Sequence, residues 1–302
     1  MHVNFTRRNA LLGGGLAALG LASCSSSEGA GDGGGSGASE TITIGYMEAW
    51  TDTVSLAFLL QDRLTALGYD VEFEVLADAA IAYTALDNGD IDLLSSGWPD
   101  VTHAEYMEEY GQNVEDLVTY NANATNMLAV PEYMDVSSIE ELATDPDRFG
   151  GRIVGIEPGA GLTGIVQDSV IPTYGLDGGF ELVTSSTAAM LTELGNAMDA
   201  QEDIVVTLWR PFWANQEFAV QPLEDPERAF GEPETMHVLG RDGFSEDFAD
   251  AAEYIGQLEL TDEEYETLEN TIVNDYDSGQ EADAVQQWRK ENPNVLPAVD
   301  ED

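Results

Sequence analysis

The sequence predicts an α/β fold of two lobes, each a mainly parallel sheet flanked by helices, with a ligand cleft between them. Three observations carry the prediction. Strand and helix patterns alternate in β-α-β-α-β order from Thr41 to Leu94 and again from Ile153 to Leu208, the order that builds parallel sheets with ligands at the carboxyl ends of the strands. The two stretches share landmarks: Trp98 follows Gly45 at nearly the interval by which Trp209 follows Gly155, and Asp92 and Asp203 each stand six residues before their tryptophan. Finally, Trp50, Trp98 and Trp209 each sit just beyond an apolar run that reads as a strand.

Thr41 to Tyr46 alternates apolar and polar residues and reads as the first strand. Val54, Phe58, Leu60, Leu64 and Leu67 follow at helical spacing and stop at Gly68, which fits a helix with a glycine beyond its end. Val71, Phe73 and Val75 mark the second strand, Ala79 to Leu86 a helix, and Ile91 to Leu94 a strand running into Trp98. A helix is expected around His103 to Tyr110, and Met127 to Val130 is expected to cross between lobes. In the second half, Ile153 to Ile156, Phe180 to Val183 and Ile204 to Leu208 read as strands. Leu162 to Ile171 and Thr187 to Met198 read as helices, the latter behind the capping candidates Ser185 and Ser186. Met236 to Leu239 is the second expected crossing strand. Thr261 with Glu264 fits a capping box, and Ala282 to Lys290 a last amphipathic helix. The expected division is lobe 1 at 41–126, lobe 2 at 127–238, and a helical part at 239–302 returning to lobe 1.

The first residues read as processing sequence. Arg7-Arg8 precedes an apolar stretch, Ala10 to Ala22, that is too short to span a bilayer and ends in small residues, the pattern of a signal peptide over 1–23 with a twin-arginine front. Leu21-Ala22-Ser23-Cys24 resembles a lipobox, so the chain's only cysteine, Cys24, is the expected lipidation site. Residues 24–40 are rich in Gly and Ser and form the expected flexible tether. A domain held by lipid at the outer face of the cytoplasmic membrane is the consequence.

Charge narrows the partners. With 10 Lys+Arg against 58 Asp+Glu the formal net charge is -48, yet 43% of residues are hydrophobic, so the chain folds and carries an acidic skin. Nucleic acid is excluded for want of a basic face. Self-repulsion of this size is relieved where the Debye length falls to about 3 Å, in molar salt; the expectation is a halophilic exterior.

Three tryptophans on separate segments suggest a cage of aromatic faces, which attracts a quaternary ammonium group that cannot donate a hydrogen bond. Trp213 and Trp288 lack the symmetric placement and are assigned to packing, and His237 to structure. The turn Glu157-Pro158-Gly159-Ala160-Gly161-Leu162 lies between a strand and a helix, where backbone N–H groups favour an anion. His103, five residues after Trp98, is placed to join them. An enzyme would need a nucleophile, metal cluster or cofactor loop, and none stands out: catalytic residues, metal and cofactor are all expected to be none.

The segments Gly45-Tyr46 to Trp50, Gly97-Trp98-Pro99-Asp100-Val101-Thr102-His103, Val130-Pro131-Glu132-Tyr133-Met134, Gly155-Ile156-Glu157-Pro158-Gly159-Ala160-Gly161 and Leu208-Trp209-Arg210-Pro211-Phe212-Trp213 resemble the signature segments of the glycine betaine-binding subunits of osmoprotectant ABC importers. The resemblance implies a periplasmic-binding-protein-like fold and no enzymatic activity. It implies a trimethylammonium prism of Trp50, Trp98 and Trp209, and a carboxylate clamp of His103, Gly161 and Leu162. It further implies glycine betaine, and proline betaine, as ligands, with an ABC permease and its ATPase subunit as partners. Two departures bear on charge: an additional residue in Met47-Glu48-Ala49, and Pro99-Asp100 after the second tryptophan. Glu48 or Asp100 facing the cleft would favour a net cation. The rivals are a choline or carnitine binder of the same fold and a ligand-sensing protein.

Overall fold

A computed structural model describes residues 40–299. The arginine pair, Cys24 and the Ser25–Ser39 stretch lie outside the described residues. Nine strands are described: β1 (Thr41–Tyr46), β2 (Asp70–Val75), β3 (Leu93–Gly97), β4 (Val114–Pro131), β5 (Arg152–Val154), β6 (Glu181–Val183), β7 (Val206–Arg210), β8 (Val220–Pro222) and β9 (Glu234–Arg241). They join in the order β2-β1-β3-β9-β4-β7-β5-β6, with β8 on β4.

The parallel ladders are those expected from the alternating pattern. β1 pairs with β2 and β3, and β5 pairs with β6 and β7, giving two small parallel sheets with β1 and β5 at their centres. Ile42 and Ile44 of β1 and all of β3 are buried, as strands covered on both faces must be. What the pattern did not contain is the antiparallel part that joins the two sheets. β4 pairs with β9 from Val114 to Ala124, then with β7 from Thr125 to Ala129, so one strand serves both halves. The crossing strand expected at Met127–Val130 is therefore the last third of a much longer one. Its first part, with Glu115, Asp116, Asn121, Asn123 and Asn126, is too polar to read as a strand. The expected boundary at 126/127 falls just past the change of partner, and that at 238/239 falls inside β9, which pairs with β3 and the first part of β4.

Helices cover the sheets. The Thr51–Ala66 helix buries Leu56, Leu59, Leu60 and Leu64 completely and packs against the C-terminal helices Asp262–Asn274 and Glu281–Glu291. The capping box expected from Thr261 and Glu264 is present, and Ser186 caps the Thr187–Ala200 helix through Ala189 N–H at 3.2 Å. Trp288 is buried against Thr267, to which its indole donates at 3.0 Å. Among the described residues no helix is long and apolar enough to cross a membrane.

Candidate ligand-binding site

The six residues singled out from the sequence converge. Trp50, Trp98, Trp209, His103, Gly161 and Leu162 all line one small cavity, with aromatic and apolar walls and a few polar groups, the make-up usual for small-molecule sites. Lobe 1 supplies the turns after β1 and β3, and lobe 2 those after β5 and β7. Trp213, Trp288 and His237 do not line it; His237 is held on β9 by Asp116 at 2.7 Å and by Thr235 at 2.6 Å.

Each tryptophan is fixed by specific contacts. The Trp98 indole N–H donates to Asp52 Oδ2 at 3.2 Å. The Trp50 indole N–H is shared between Glu157 Oε2 and Thr187 Oγ1, both at 3.2 Å. Trp209 stacks on Phe212 with centroids 4.0 Å apart and planes at 18°, and Asn215 donates to its carbonyl at 2.8 Å. Locked rings of this kind keep their π faces in place with little entropy left to lose on binding.

His103 folds back onto Trp98. Its backbone N–H donates to the Trp98 carbonyl at 2.8 Å, while the Trp98 backbone N–H donates to His103 Nδ1 at 3.1 Å. A peptide N–H can only donate, so Nδ1 is an acceptor and the proton sits on Nε2. The Tyr83 hydroxyl lies 3.2 Å from the same Nδ1. Burial holds the imidazole at a pKa of about 3, well below its ordinary 6.5, because a charged ring would be stripped of water. The result is a neutral histidine with one fixed donor.

Opposite it, the helical run that opens at Gly161 leaves its first N–H groups without intrahelical partners. Thr163 and Gly164 bond the Ala160 carbonyl at 3.0 and 3.3 Å, which leaves the N–H groups of Gly161 and Leu162. The turn lies hard against lobe 1: a Cβ on Gly161 would sit 1.9 Å from the Thr102 carbonyl oxygen. Tyr106 also donates to the Gly159 carbonyl at 3.0 Å.

Sequence reasoning missed one wall. Asp52, 4% exposed, lines the cavity and accepts from Ser96 at 2.8 Å as well as from Trp98. Ser96 in turn lies 2.7 Å from the Tyr120 hydroxyl. Behind Asp52 is Glu269, 3% exposed, bonded to the Thr51 hydroxyl. Burial raises the Asp52 carboxyl above its usual range and pushes Glu269 up to about 8. Glu48 and Asp100 do not line this cavity: Glu48 is exposed and flanks a separate hollow, and Asp100 is turned toward Thr235. Asp52 is legible in the sequence only as a carboxylate in the first turn of the helix that follows Trp50.

A two-lobed α/β protein with an aromatic-walled cavity at the strand ends is a binding protein that holds a small ligand between its lobes. Residues 40–291 match the substrate binding domain of ABC-type glycine betaine transport systems, and the chain belongs to that family. It is accordingly a substrate-binding protein of the betaine, choline and carnitine class of ABC importers and not an enzyme. It is 32% identical over 150 residues to a glycine betaine/carnitine transport binding protein of Listeria monocytogenes, GbuC; the match covers 50% of this chain and 49%, about half, of that protein. The lactococcal OpuAC structure in its closed, glycine betaine-liganded form superposes with a TM-score of 0.77 at 28% identity, over 85% of this chain and 97% of that one. An ABC-transporter choline binding protein in complex with choline gives 0.75 at 27% identity, over 84% and 89%.

Proposed function

We propose that this protein captures glycine betaine, and proline betaine, between its lobes and presents it to a membrane permease driven by an ATPase subunit. The trimethylammonium group sits among Trp50, Trp98 and Trp209, and the carboxylate accepts from His103 Nε2–H and from the N–H groups of Gly161 and Leu162. The observation that carries the reading is the neutral, singly protonated His103 on the same cavity as three tryptophans. A cation cage alone would serve any quaternary amine, whereas a fixed donor beside a helix start serves a carboxylate. In this reading lobe 1 is 41–126, lobe 2 begins at 127 and ends before β9, whose pairing with β3 returns the chain to the first lobe, and lipid on Cys24 tethers the domain outside the cell.

A second reading, choline, is favoured by one feature. Asp52 places a buried carboxylate on the cavity wall, and a net cation gains more from it than a zwitterion does. Calorimetric titration of His103→Ala separates the two. Loss of a charge-assisted bond contributing about 1.5–3 kcal/mol should weaken glycine betaine roughly ten- to a hundredfold, with choline nearly unaffected. Equal weakening of both ligands, or none, removes His103 from the clamp. Because burial keeps the ring neutral, glycine betaine affinity should show no histidine titration between roughly pH 5 and 8.

The formal charge of -48 supports a saline setting. Melting temperature should rise between dilute buffer and molar KCl as self-repulsion is screened. A midpoint indifferent to salt would refute the halophilic reading.

A further inference from the structure

The Trp50 ring belongs to lobe 1, but both acceptors of its indole N–H belong to lobe 2. Glu157 stands at the head of the Gly-rich turn after β5, and Thr187 opens the helix after β6. The two acceptors are themselves joined. Thr187 donates its backbone N–H to Glu157 Oε1 and its hydroxyl to Glu157 Oε2, each at 2.8 Å. A carboxylate fixed at both oxygens by one threonine presents its remaining lone pair in a set direction, and the Trp50 N–H meets it there.

We infer that Glu157 and Thr187 are positioning residues: they form a latch that engages the Trp50 indole when the lobes close and so couples the aromatic cage to the Gly-rich turn. The inference rests on the proposed betaine-type ligand. Glu157 lies in the same short turn as Gly161 and Leu162, so drawing that turn onto a carboxylate carries the latch toward Trp50. A ring held by its edge keeps its face available, since the N–H bond lies in the ring plane. The latch therefore adds closed-state stability without occupying the cage. An interaction made only in the closed form slows ligand release and leaves the encounter with the open form unchanged.

The test is stopped-flow binding of glycine betaine and choline to the full folded domain, with Glu157→Ala, Thr187→Val and Glu157→Gln, each in wild-type and Trp50→Phe backgrounds. Phenylalanine keeps an aromatic face and removes the N–H. Glu157→Ala should speed dissociation roughly ten- to a hundredfold with little change in association, the loss expected of one charge-assisted hydrogen bond. Glu157→Gln, which retains an acceptor oxygen, should keep part of the effect. In the Trp50→Phe background the same Glu157→Ala change should cost less than about threefold, because the partner is already gone. Equal costs in the two backgrounds overturn the latch, as does a Glu157→Ala protein that releases ligand at the wild-type rate. A wild-type chain that binds neither amine overturns the functional reading and the inference with it. Ligand-free melting of each variant separates a latch defect from a folding defect.

Discussion

Gly161→Ala should abolish tight ligand binding, with affinity falling about a hundredfold, the upper part of the roughly 1–3 kcal/mol that overpacking costs. The added Cβ would meet the Thr102 carbonyl oxygen at 1.9 Å and its carbonyl carbon at 2.8 Å. Both partners are main chain, so neither can rotate aside; relief comes only by moving the turn away from lobe 1. That movement withdraws the N–H groups of Gly161 and Leu162 from the cavity. Gly159→Ala is the comparison: its Cβ would meet the Asp78 carboxyl, 2.3 Å from Oδ2, a side chain that can turn aside only by giving up the helix cap it makes with the Ile81 N–H at 3.1 Å, and the expected loss of affinity is below about fivefold, with some loss of stability. Ligand-free Gly161→Ala should melt at the wild-type temperature or slightly above, because alanine is the better helix residue and an opened cleft holds no clash. Wild-type affinity for Gly161→Ala, measured by calorimetry, would mean that the closed contact does not form in the bound state.

The contrast between these glycines shows what could and could not be read from the sequence. Alternating strands and helices and the placement of Trp50, Trp98 and Trp209 are local patterns, written in period and spacing, and β1, β2, β5 and β7 follow from them with ends shifted by a residue or two. The reach of β4 is not local. Val114 to Ala124 joins the sheet because β9 lies alongside it, and nothing in that polar run announces a partner more than a hundred residues away. Asp52 escaped for a related reason. A carboxylate in the first turn of a helix is ordinarily a solvated complement to the helix dipole, and only the tertiary packing of Ser96, Trp98 and Tyr120 takes it out of water. Likewise the sequence marks Gly161 as permissive backbone, while its closeness to Thr102 belongs to the packing of one lobe on the other.

Glu269→Gln should stabilise the protein in mild alkali and leave it nearly unchanged in mild acid. Glu269 is buried beside Thr51 and Asp52, and burial is the chief cause that lifts it to about 8 from the ordinary 4.5. A carboxyl raised in the folded state holds its proton there while the unfolded chain has already released it. Between pH 4.5 and about 8 the native state therefore binds the extra proton, and stability falls as pH rises through that window, levelling off above it. A displacement of this size corresponds to a loss of order 5 kcal/mol at its limit. Glutamine keeps the shape and an acceptor for the Thr51 hydroxyl and cannot ionise, so it removes the slope. Denaturant unfolding of both proteins across the window reads the effect as a difference, in which the many shared surface carboxylates cancel. The two stabilities should nearly coincide near pH 5, separate steadily toward about pH 8 and keep a constant gap beyond it, with the variant the more stable. Parallel curves would mean that Glu269 stays ionised in the folded protein, with the negative charge behind Asp52 compensated by packing or solvent within the closed core.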